Sequence, residues 1–113
     1  MRRVLLFLGA VLPLQVFALS PAAREFMAIS KELEPVQCEK RQLRRKITLA
    51  EAERRDDEAK TLRGRFAALN RDPKTARLEK RLAELEPRLS RSSDPEDLQA
   101  ISRQQREAFY RCE

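Results

Sequence analysis

Between Cys38 and Leu69 the chain runs for 32 residues with no proline and one glycine, Gly64. The run is dense in Glu, Lys, Arg, Ala and Leu, the strongest helix formers. A helix of that length spans about 50 Å. A chain of 113 residues cannot wrap a globular core around such a rod, because small domains bury a limited share of their surface. A return arm lying along the rod and sharing its apolar seam is the available solution, with a covalent staple to reinforce it. Composition agrees. Charged residues make up 37% and aromatics 5%, with no tryptophan, as in long-helix and coiled-coil chains.

Before this run lies a different kind of segment. Arg2 and Arg3 precede an almost wholly apolar stretch, Val4 to Leu19, the arrangement of a secretory signal. Val16 and Ala18 suit the −3 and −1 positions, so residues 1–18 are expected to be cleaved after Ala18. Cleavage after Ser20 would place Pro21 just past the scissile bond, where it is disfavoured. The alternative is an uncleaved inner-membrane anchor, but the stretch falls short of the roughly 20 residues a span needs. The mature chain then carries 22 basic and 18 acidic residues, a charge of +4, and its destination is periplasmic or secreted.

Three helix starts are written in the mature sequence. Ser20-Pro21, Asp72-Pro73 and Asp94-Pro95 each pair an N-cap residue with proline at the first helical position. Leu78, Leu82, Leu85 and Leu89 follow the second start, and Leu98, Ile101, Phe109 and Cys112 line the last helix. Pro35 is expected to kink or divide the first helix, and Pro87 to interrupt a later one. Around Arg54 to Glu58 the apolar seam lapses into charge, which reads as a coiled-coil stutter.

An exported chain with two cysteines usually joins them, so Cys38 and Cys112 are expected to form a disulfide; an intermolecular bond is the alternative. With a tip at Asn70 to Asp72, Phe66 faces Leu78, Leu62 faces Leu82, Leu49 faces Leu98 and Cys38 meets Cys112. The expected fold is therefore all-α. It is a long, coiled-coil-like antiparallel helical hairpin whose second arm is broken into two helices, with one disulfide locking the arms. Its parts are an amphipathic helix over 19–37 and a disulfide-closed hairpin over 38–113. On this register Phe26, Met27, Ile29, Leu33 and Val36 form an apolar stripe with no arm opposite, a candidate partner-binding or self-association surface.

Catalytic chemistry has little to draw on. The chain has no histidine, which removes Ser-His-Asp and Cys-His arrangements and His-based metal sites. It has no Gly-rich phosphate loop and no C-x-x-C pair. The acidic residues Glu51, Glu53, Asp56, Asp57 and Glu58 lack EF-hand spacing and read as a solvated face. No catalytic residue, cofactor or metal site is expected. Lys40, Arg41, Arg44, Arg45 and Lys46 form a basic run. The export signal and the absence of nearby stacking aromatics argue against nucleic acid, so anionic lipid or envelope polysaccharide is the fitting partner. The expected function is a non-enzymatic protein–protein interaction module of the bacterial envelope; the alternatives are a small holdase-type chaperone or a binder of anionic envelope surfaces.

Overall fold

The computed structural model describes residues 19–92 and 94–112; the leader, its cleavage site at Ala18 included, lies outside them. Among the described residues four helices follow in order: α1 Pro21–Ala52, α2 Asp56–Arg71, α3 Pro73–Ser92 and α4 Pro95–Arg111. The fold is all-α. Its frame is a long antiparallel hairpin whose second arm is broken into two helices, α2 and α3, and a Cys38–Cys112 disulfide is present.

All three helix starts lie where the sequence places them. The Ser20 hydroxyl accepts from the Ala23 N–H, and the Asp94 carboxylate from that of Glu96. Asp72 takes both the N–H and the hydroxyl of Thr75, at 3.0 and 2.9 Å. These contacts satisfy donors that a helix start otherwise leaves open. The two interior prolines do less than expected. Helix α1 continues through Pro35 and across 37/38, and α3 continues through Pro87 to Ser92.

The tip is displaced from its expected position. It falls at Glu53–Arg55 and not at Asn70–Asp72, so the charged lapse in the seam is a turn. Arg54 takes φ 57°. The Arg54 N–H donates to the Glu51 carbonyl and the Arg55 N–H to that of Ala50, at 3.1 and 2.8 Å. This is a Schellman stop, with arginine in the left-handed position that glycine usually fills.

From the tip, α2 returns along the second half of α1, where Leu43, Ala50, Ala59 and Leu62 are buried with Ile47, Phe66 and Leu69 packed on them. Small Ala50 and Ala59 let the two helices come close beside the turn. Helix α3 prolongs this return along the first half of α1. Ile29, Leu33 and Leu85 are buried there, with Leu78 and Leu82 against them.

Helix α4 then reverses once more and lies parallel to α1. Asp97 accepts from Ser20, Gln104 Nε2 donates to the Met27 carbonyl, and Arg111 pairs with Glu34. Each pair is separated by 77 residues, and successive pairs step by seven. That is a heptad register between parallel helices. Just past the end of α4 the register is left, and Cys112 reaches Cys38 at a separation of 74 residues, with Cα atoms 5.5 Å apart.

The molecule thus has two parts. A three-helix body of α1, α3 and α4 carries a projecting two-helix arm, residues 40–71. The expected pairs of Phe66 with Leu78, Leu62 with Leu82 and Leu49 with Leu98 do not form; Leu49 and Leu98 are exposed. Among the described residues no helix is long and apolar enough to cross a membrane.

Candidate interaction surface

The apolar stripe of the first helix is covered. Ile29 and Leu33 are 8% and 1% exposed, and Phe26 and Met27 pack half-buried against the body's core. Val36 is half-buried. Moving the tip to residues 53–55 lengthens the return arm enough to cover this stripe with α3, and α4 closes it from the other side. Ile29 and Leu33 are core, Phe26 and Met27 pack on it, and the stripe is not a free docking face.

The basic run is divided by the fold. Lys40 is 6% exposed and pairs with Glu79 at 2.6 Å, at the junction of body and arm. Arg41 lies 5.3 Å from the Phe109 ring and Arg44 5.3 Å from that of Phe66, distances that suit cation–π contact. Arg44, Arg45 and Lys46 are exposed.

The turn at Arg54 adds cations that local sequence reading missed. It brings α2, with exposed Lys60, Arg63, Arg65 and Arg71, back along the helix that carries the α1 run. Residues 40–50 and 59–71 contain nine Lys and Arg and no Asp or Glu. The whole arm, residues 40–71, holds eleven basic and five acidic residues, a net charge of +6. The remainder of the chain from Leu19 holds eleven basic and thirteen acidic, a net −2. Arg63 pairs with Glu51 at 3.0 Å. Among the described residues Arg44, Arg45, Lys46, Lys60, Arg65 and Arg71 make no ion pair. The acidic residues gather at the tip, where Arg55 pairs with Glu53 and Glu58.

Between these cations lies an apolar element. Arg44, Arg45, Thr48, Leu49 and Ala52 line a shallow open groove on the outer face of α1, and Leu49 is 55% exposed. The long arginine side chains flank it with apolar stems and charged ends.

The body has a second exposed feature. Leu98, Phe109 and Tyr110 of α4 are 46%, 55% and 75% exposed. A cleft of about 330 Å³ between the helices is lined by Phe26, Lys31, Glu34, Arg41, Glu86 and Gln104 among others. Among the described residues, no group of three or more His, Cys, Asp or Glu side chains is placed to hold a metal ion.

The body's ion pairs carry clear electrostatic signatures. The Arg81 guanidinium holds the Glu25 carboxyl below its ordinary range, and Arg111 does the same to Glu34. The Thr75 backbone and hydroxyl donors lower Asp72. These contacts join α1 to α3 and α4 and cap the start of α3.

A structural disulfide points to a non-cytoplasmic location. No family model matches the chain, and neither a curated protein nor a solved structure does.

Proposed function

We propose that this is a non-enzymatic exported protein of the bacterial envelope, a rigid helical module that uses its basic arm to engage an anionic lipid surface. The observation that carries the reading is the arm's net charge of +6, with exposed Arg44 and Arg45 flanking exposed Leu49. Each Lys or Arg held near an anionic membrane contributes about 1 kcal/mol, and an apolar side chain among them adds burial at the head-group boundary. Cleavage after Ala18 and a periplasmic or secreted destination complete the proposal. They are supported by the basic and apolar character of residues 1–18 and by the disulfide.

Co-sedimentation with vesicles tests it. The disulfide-bonded protein should bind vesicles containing phosphatidylglycerol, release them as salt rises, and ignore vesicles of phosphatidylcholine alone. Absence of binding to the anionic vesicles at low salt would overturn the proposal.

A protein partner is the second reading, favoured by exposed Leu98, Phe109 and Tyr110 on α4. Photo-crosslinking from Phe109 in cells distinguishes its forms. One discrete adduct identifies a dedicated partner, a doubled mass a second copy, and a broad smear a holdase.

A further inference from the structure

Asp97 is fully buried, and the fold gives it an unusual setting. It sits in the first turn of α4, directly against the start of α1. Its Oδ1 accepts from the Ser20 N–H at 3.0 Å, and its Oδ2 from the Ser20 hydroxyl at 2.6 Å. The same hydroxyl accepts from the Ala23 N–H at 3.1 Å. Two helix starts therefore meet at one carboxylate. Among the described residues, Ser20 supplies all of its hydrogen bonds and no Lys or Arg pairs with it. A buried carboxylate normally requires fuller compensation.

The missing charge lies one residue away. We infer that Asp97 is the seat of the α-ammonium group that cleavage after Ala18 creates on Leu19, an inference that rests on the export reading above. The Leu19 nitrogen precedes that of Ser20 by one residue, at most about 3.8 Å along the chain. The Leu19 side chain is half-buried against the cluster of Ala23, Leu89 and Ile101, which anchors this residue at the same end of the body. A free ammonium at that position would otherwise face the positive end of the α1 dipole, an unfavourable arrangement. Asp97 reverses the sign of that interaction. In the uncleaved chain the same nitrogen is a neutral amide and contributes no charge.

The geometry also argues against cleavage after Ser20. Cutting after Ser20 would remove both donors to Asp97 and the N-cap of α1 together. Cutting after Ala18 keeps both and adds the ammonium.

The test compares chains that begin at Leu19 with chains extended by Gly-Ser ahead of it, in the wild type and in Asp97→Asn. Ser20 keeps its donors in all four, so the comparison isolates the ammonium. The Leu19-start protein should melt roughly 5 °C or more above the extended form, and the two should melt together in Asp97→Asn. Should Asp97→Asn fail to fold, the acylation rate of the terminal amine decides in the wild type alone. It should be at least tenfold slower when the chain starts at Leu19. Equal melting and equal amine reactivity would overturn the seat and leave the export reading standing. Mass spectrometry of the protein recovered from the periplasm separates the two ideas. A terminus at Leu19 supports both, and a retained leader or a different terminus removes the cleavage reading and the seat with it.

Discussion

Arg111 grips Glu34 through two donors, Nε to Oε1 at 2.8 Å and Nη2 to Oε2 at 3.0 Å, one residue before the disulfide closes the same end of α4. This bidentate pair, with Glu25–Arg81 and the Asp72 cap, sets the acid limb of stability. The folded state lowers all three carboxyls, Glu34 through its Arg111 bonds, Glu25 through Arg81 and Asp72 through Thr75. For a lowered carboxyl, the stabilisation is complete above the unfolded value and lost as pH falls through the folded one. Denaturant midpoints should therefore hold at neutral pH and decline between about pH 5 and pH 2. Glu34→Gln combined with Glu25→Gln should flatten that decline.

The turn carries a correctable strain. A non-glycine residue in the left-handed region costs roughly 1–2 kcal/mol, and Arg54 occupies it at φ 57°. Arg54→Gly is expected to raise stability by about 1 kcal/mol in urea unfolding, net of glycine's greater freedom in the unfolded chain. Arg55→Gly, at ordinary negative φ and losing the pairs with Glu53 and Glu58, should lower it.

Gly64 offers the opposite substitution. It lies inside α2 at an exposed position, and a Cβ there would meet nothing within 4 Å. Gly64→Ala should stabilise the arm by about 0.8–1 kcal/mol from helix propensity alone. Hydrogen exchange should slow in residues 56–71 more than in the body.

Helix α4 depends on the disulfide. It buries Asp97 and Ile101 and otherwise rests on α1 through polar contacts spaced by seven residues. The bond joins residues 74 apart, a closure worth about 4 kcal/mol through loop entropy. Cys38→Ser with Cys112→Ser should speed amide exchange across 95–111 first, while the α1–α2 arm retains its protection.

Reversing charge on the arm should abolish lipid attraction without unfolding the protein. Arg44, Arg45 and Lys46 are exposed and make no ion pair among the described residues, although Arg44 lies over the Phe66 ring. Changing all three to Glu should weaken binding to anionic vesicles by roughly 100-fold or more, at about 1 kcal/mol per cation, with the melting temperature changed little. Lys40→Glu, which breaks the buried pair with Glu79, should instead destabilise the fold.

Much of this architecture is legible in the sequence because its signals are local. Ser20-Pro21, Asp72-Pro73 and Asp94-Pro95 mark helix starts by side-chain chemistry that operates within three residues. The tip is not legible in that way, since a Schellman stop usually shows itself as glycine and here the position holds Arg54. Helix formers on both sides then favour one long rod, and only the packing of Leu43, Ile47 and Ala50 on Ala59, Leu62 and Phe66 decides otherwise. The disulfide gave no warning, because Cys38 and Cys112 meet with either placement of the tip. The candidate surface moved for the same reason. A turn about 17 residues earlier buries Ile29 and Leu33 and brings α2, with Lys60, Arg63 and Arg65, back along the helix that carries Arg44 and Arg45.

The division of charge also has a mechanical side. A net +6 on the arm and −2 on the rest make the molecule a lever in an electric field. Near a negative surface the torque turns it arm-first before contact, while screening confines that steering to about 10 Å at 0.1 M salt. The body would then stand away from the surface, with the Ser20 and Asp97 end farthest out and the disulfide close to the base of the arm.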